Sequence, residues 1–120
     1  MESPQRRPCV EKFVKGNIVV VPFPFSNLMQ VKKRPALVIR DSFGQDVLLC
    51  QITSQTLVDS LAIPINVDDF ESGTLNEESF VRINKLLIAD QSIISYTIGS
   101  IKKTKMNEII ERVIKFIRDE

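Results

Sequence analysis

Apolar residues in this chain fall in short runs separated by turn-forming clusters. Asn17 to Pro22 is nearly continuous and rich in β-branched residues, the pattern of a buried strand over 17–22. Similar runs predict strands over 36–40 and 47–52. Ser79-Phe80-Val81-Arg82-Ile83 alternates polar and apolar residues, as a half-buried strand does. Tyr96–Ile101 reads as the last strand, with Gly99 marking a bulge or a close approach. Leu61–Ile65 carries Pro64, which cannot donate to a ladder, so this strand belongs at an edge. By the same argument Pro22 and Pro24 end regular pairing of the first strand, and Pro35 opens the second. Segment 26–33 reads as a loop, 41–46 as a turn with Gly44 at positive φ, and 66–76 as an acidic surface loop. Residues 85–91 fit no single pattern.

A helix closes the chain. Thr104 is the expected N-cap, and Met106, Ile109, Ile110, Val113 and Ile117 make one apolar stripe that packs on the core. Several short strands plus one terminal helix predict a small twisted barrel or sheet covered by a helix. Residues 1–13 lack periodicity and read as a flexible N-terminal arm, leaving 14–120 as a single domain.

Composition narrows the function classes. The chain has 120 residues, 43% hydrophobic and 26% charged, suited to one domain with a real core. No apolar run reaches the ~18 residues of a membrane span, and the N-terminus lacks the apolar stretch of a secretory signal, so we expect a cytoplasmic protein. Cys9 and Cys50 read as reduced thiols rather than a disulfide. Histidine is absent, which removes the usual near-neutral proton shuttle and argues against a zinc site. We expect no metal and no cofactor. Net charge is +1, but residues 1–40 carry +6, 41–90 carry −7 and 91–120 carry +2. That asymmetry fits a basic patch, pairing between halves or an ordinary solvated surface.

Two short segments hold the candidate chemistry. Arg34 carries a planar guanidinium that matches phosphate oxygens, and Pro35 keeps its backbone extended. On position alone such an arginine is more often structural or solvated, and Lys32 and Lys33 are more often a solvated loop edge. Thr53, Ser54 and Gln55 gather two hydroxyls and an amide where a strand meets a loop, a place for binding groups and more often for turns that bond their own backbone.

Taken in order, Gly16-Asn17-Ile18-Val19-Val20-Val21-Pro22-Phe23-Pro24-Phe25, Lys32-Lys33-Arg34-Pro35-Ala36-Leu37-Val38 and Ile52-Thr53-Ser54-Gln55 resemble the MazF/PemK family. Val81–Leu86 and Ile88-Ala89-Asp90 are similar to the elements that follow, so the likeness covers about residues 14 to 117. It implies a mainly β fold, an SH3-like barrel of the CcdB/MazF type with a C-terminal helix, paired as a homodimer. It implies metal-independent, sequence-specific cleavage of single-stranded RNA by a toxin held in check by a small antitoxin. By motif position, Arg34 would be the catalytic arginine and Thr53 the catalytic hydroxyl, with Phe25, Ser26, Lys32, Lys33, Ser54, Gln55, Arg82 and Asn84 meeting RNA. The chain departs from the pattern at Arg82-Ile83-Asn84, where some members have Arg-x-Asp, and an amide cannot serve as a carboxylate base. The 26–33 loop also lacks glycine, and the N-terminal arm is longer than usual. Two alternatives share the fold: a non-catalytic SH3-like binding module, and a gyrase-directed toxin like CcdB. The end Phe116–Glu120 gives the second no positive support.

Overall fold

The computed structural model describes residues 13–24, 31–55 and 60–120, with the backbone alone at 23, 24 and 31. Cys9, Phe25 and Ser26 fall outside the described residues. Seven antiparallel strands form one curled sheet: β1 (Asn17–Pro24), β2 (Val31–Phe43), β3 (Asp46–Thr53), β4 (Ala62–Ile65), β5 (Phe70–Ser72), β6 (Ser79–Asp90) and β7 (Tyr96–Ile101). Their order is β4-β6-β3-β2-β1-β7-β5, and the helix α1 (Lys103–Arg118) follows β7. A curled, mainly β sheet with one terminal helix is the architecture expected.

Both sheet faces are buried. Ile18, Leu37, Ile39, Cys50, Ile52, Ile63, Val81 and Ile83 point to one face, where Met106, Ile109 and Val113 of α1 cover them. Val19, Val21, Ala36, Val38, Val47 and Leu49 alternate with them and pack on the other face with Phe13 and Ala89. Strands buried on both sides read as continuous apolar runs, which is why β1, β2 and β3 stand out in the sequence. Phe13 is itself buried, so packing begins one residue before the boundary drawn at 14.

Several expectations shift. Pro22 and Pro24 do not end the pairing of β1, because they sit opposite Lys33 and Val31 of β2. The Val20 carbonyl accepts from Ser95 N–H, on the β7 side of β1. Pro22 and Pro24, at the same parity, turn their nitrogens to that side, and pairing with β7 ends at Val20. Their missing N–H therefore costs no ladder bond. As a consequence β2 begins at Val31, and Lys32 and Lys33 lie on a strand instead of in a loop. The ambiguous 85–91 segment continues β6 to Asp90, and the acidic 66–76 loop contains β5. Pro64 does sit on the edge strand β4, and Gly44 does take positive φ (63°). Gly99 marks both a register shift between β1 and β7 and a close crossing: a Cβ there would stand 2.9 Å from Gly73 Cα.

The helix starts earlier than Thr104. Ile101 N–H bonds the Gly16 carbonyl and Lys102 N–H bonds the Asp69 carbonyl (3.0 and 2.8 Å), which pins the end of β7. Lys102 stays extended as N-cap, so Thr104 falls inside the first turn. Lys105 reinforces the junction with ion pairs to Asp69 and Glu108. Ile117 leaves the apolar stripe and is 67% exposed, since the buried contacts of α1 stop at Val113.

Candidate functional site

β2 and β3 pair as far as Ala36 opposite Gln51, while Arg34 pairs with Val21 of β1 and Thr53 with Phe80 of β6. Arg34 thus projects from the sheet face of Ala36 and Val38, as Thr53 does from that of Gln51 and Leu49. On β6, Phe80 lies opposite Thr53, so the alternation puts Arg82 and Asn84 on this face too. The apolar face of β1 to β3 therefore ends in a polar group: Arg34, Gln51, Thr53, Arg82 and Asn84. Burial is deep there. Arg34 Nε, Arg82 Nε and Asn84 Oδ1 have essentially no solvent exposure, and Thr53 is 6% exposed.

A cleft of about 430 Å³ opens at this end of the strands. Lys32, Lys33 and Arg34 of β2 form one wall, and Ser54 and Gln55 continue it from the end of β3. Pro35 and Ile52 contribute apolar surface. The remaining wall comes from Leu75, Asn76, Glu77 and Ser79, ahead of and at the start of β6. The cleft is cationic on one side and carries a carboxylate among the remaining lining residues, so it suits a polyanion that also offers hydrogen-bonding groups.

Five of the sequence-derived candidates meet in this cleft: Lys32, Lys33, Arg34, Ser54 and Gln55. Thr53 lies between the lining residues Ile52 and Ser54, buried just beneath the surface. Its Oγ1 accepts the Gln55 N–H at 3.2 Å, so the hydroxyl does serve the local turn. Its proton remains available to donate. Arg82 and Asn84 do not line the cleft and are set back on the Arg34 face. Sequence reasoning missed the Leu75–Ser79 wall. Its signal was the acidic Glu77-Glu78 pair directly ahead of an alternating strand, but nothing local ties that pair to Arg34.

The bulge that positions Arg82 has its own anchor. Between Cys50 and Ile52 the β3–β6 register slips, since Cys50 pairs Leu86 while Ile52 pairs Val81. Cys50 Sγ–H donates to the Arg82 carbonyl at 2.8 Å across that slip. Burial pushes the Cys50 thiol up from 9.0 to about 12, so it is a protonated structural donor and no nucleophile. Among the described residues, no three His, Cys, Asp or Glu side chains converge to hold a metal ion, and no helix is long and apolar enough to cross a membrane.

A family model described as PemK-like, MazF-like toxin of type II toxin-antitoxin system matches residues 14–117. No curated protein sequence matches the chain. Among solved structures, MazE-MazF from Deinococcus radiodurans superposes with a TM-score of 0.70 at 14% identity, covering 88% of this chain and 95% of that one. An endoribonuclease in complex with its cognate antitoxin from Mycobacterial species gives 0.65 at 12% identity, covering 88% and 94%. The Mycobacterium tuberculosis toxin MazF-mt6 gives 0.62 at 15% identity, covering 84% and 96%. At these identities the superpositions speak for the fold.

Proposed function

The chain belongs to the PemK-like, MazF-like toxin family of type II toxin-antitoxin systems, and from that premise we propose that it is an endoribonuclease that cuts single-stranded RNA at defined sequences without a metal ion. The observation that carries the reading is Arg34, which lines a cleft of about 430 Å³ with Lys32 and Lys33 and leaves the same sheet face as the buried Thr53. RNA supplies its own nucleophile. The 2′-hydroxyl attacks the adjacent phosphorus, the P–O5′ bond breaks, and the products carry a 2′,3′-cyclic phosphate and a free 5′-hydroxyl. The protein then has to orient the phosphate and stabilise charge that develops on its oxygens.

Arg34, a lining residue of the cleft with its Nε removed from water, does this by electrostatics through its planar donors. Thr53 donates its hydroxyl proton to a non-bridging oxygen. Lys32 and Lys33, both exposed, neutralise neighbouring phosphates. Ser54 and Gln55 meet the sugar or base beside the cut, and Arg82 and Asn84 meet nucleotides that flank it. Phe25 and Ser26 enter the reading through the sequence motif. With no histidine in the chain, the mechanism has to work without imidazole.

An antitoxin with an acidic segment would find Lys32, Lys33 and Arg34 as its landing site and would compete with RNA for the cleft. Simultaneous binding of RNA and antitoxin would contradict that placement. We also propose a homodimer: light scattering should return about twice the 13.7 kDa chain mass, and a monomer that cleaves RNA at micromolar concentration would contradict it.

The reading is tested by incubating purified protein with mixed RNA in EDTA and mapping the fragment ends. Cuts at a recurring short sequence are expected. Asn84, standing where a carboxylate could act, favours the binding-module alternative. RNA that is bound but never cut would establish that alternative.

A further inference from the structure

Cleavage by the substrate's 2′-hydroxyl needs a group that accepts its proton. Arg34, Lys32 and Lys33 are cations and cannot. Thr53 and Ser54 are hydroxyls, Gln55 and Asn84 are amides, and the chain has no histidine. Cys50 is buried, bonded to the Arg82 carbonyl, and is not a lining residue of the cleft. The one carboxylate among the described residues that line the cleft is Glu77.

Resting on the endoribonuclease reading above, we propose that Glu77 is the general base of the cleavage. Its place in the fold supports the role. The Glu77 carbonyl accepts a 2.9 Å bond from Ser79 Oγ, and Ser79 is buried at the start of β6, paired with Ile65 of β4. Leu75, two residues earlier, packs against the core. The backbone is therefore fastened on both sides while the side chain stays exposed at the cleft. A cleft of about 430 Å³ lies within the roughly 300–1,000 Å³ of small-molecule sites and accommodates one nucleotide with its phosphate. With cations on the β2 wall and Glu77 contributed by the segment before β6, the phosphate and the 2′-hydroxyl of one nucleotide can meet both.

The step balances without a co-reactant beyond water. The Glu77 carboxylate takes the 2′-O–H proton as the 2′ oxygen bonds to phosphorus. The P–O5′ bond breaks with its electron pair on O5′, where Arg34 offsets the charge until O5′ takes a proton from water. Glu77 then returns its proton to the hydroxide formed. The other charged groups lining the cleft are Lys32, Lys33 and Arg34 on β2; Glu78, next along the segment, lines only a neighbouring depression that Glu77 also borders.

The test is single-turnover cleavage against pH for wild type, Glu77→Gln, Glu77→Asp and Glu78→Gln, with binding measured on RNA carrying 2′-deoxyribose at the mapped cut. Glu77→Gln keeps the backbone bond to Ser79, so its thermal melt should match wild type. Its cleavage rate at neutral pH should fall on the order of 100-fold or more. The acidic limb of the wild-type profile should vanish, and RNA binding should hold or tighten as a negative charge is lost. Glu77→Asp should recover the acidic limb at a reduced rate, and Glu78→Gln should behave as wild type. A Glu77→Gln variant with the wild-type rate and profile overturns the proposal and leaves the ribonuclease reading standing. A loss shared by RNA binding in equal measure also overturns it. A wild type that never cuts RNA sinks the ribonuclease reading itself.

Discussion

Replacing Arg34 by alanine separates a transition-state contact from general positive charge. Arg34 lines the cleft, its Nε is buried, and it shares a sheet face with Thr53. A preorganised donor in such a water-poor place gains strength from the low local dielectric. Removing one comparable donor from an oxyanion site costs about 100- to 1,000-fold in rate, or roughly 2.7–4 kcal/mol. Arg34→Ala should therefore lose that much single-turnover rate, and Arg34→Lys should recover little, because a point charge cannot copy the planar fork. Lys33 is the comparison. It is exposed on the same wall, so Lys33→Ala should weaken binding while leaving the rate at saturating protein close to wild type. Its loss should reduce the salt slope of binding by about 0.7, the value for one phosphate contact on a single strand. The assay pairs single-turnover cleavage with RNA binding across a salt series, and a thermal melt for each variant. Arg34→Ala cleaving like wild type while Lys33→Ala does not would refute the assignment.

Two further outcomes follow from the same geometry. Thr53→Ala should lower the cleavage rate more than RNA affinity, and Thr53→Ser, which keeps the oxygen that accepts Gln55 N–H, should restore most of it; equal losses in both variants would reduce Thr53 to a packing role. Cys50 makes stability fall at alkaline pH: between 9.0 and about 12 the unfolded chain releases a thiol proton that the folded chain keeps, which costs ~1.4 kcal/mol per pH unit. Urea melts of wild type and Cys50→Val at pH 8, 9 and 10 should diverge in slope, and parallel slopes would show that the thiol is not held protonated.

Much of the fold was legible because β1, β2 and β3 are buried on both faces and so announce themselves as apolar runs. The edge strand was legible from Pro64 and the crossing of β5 and β7 from Gly99, each through a backbone rule. What escaped was set by distant pairing. Whether Pro22 and Pro24 end a strand depends on which neighbour their nitrogens face, and that is fixed by where β7 stops. Ile117 fits the stripe but lies beyond the reach of the sheet. At the site, the Arg34 and Thr53 segments were readable as local patterns, whereas the sheet face they share is a matter of β1–β2 and β2–β3 register. Glu77 was hidden in an acidic stretch whose default reading is a solvated loop, and the fold alone carries it to the cleft.

The central claim is that this chain cuts RNA through the substrate's own 2′-hydroxyl. The most direct measurement uses one synthetic RNA spanning a mapped cut, prepared with ribose or with a single 2′-deoxyribose on the 5′ side of the scissile phosphate, incubated in EDTA and read by mass spectrometry. The account predicts a 2′,3′-cyclic phosphate and a 5′-hydroxyl from the ribose form and no product from the deoxy form. Cleavage of the deoxy form, or activity that vanishes in EDTA and returns with magnesium, would contradict it.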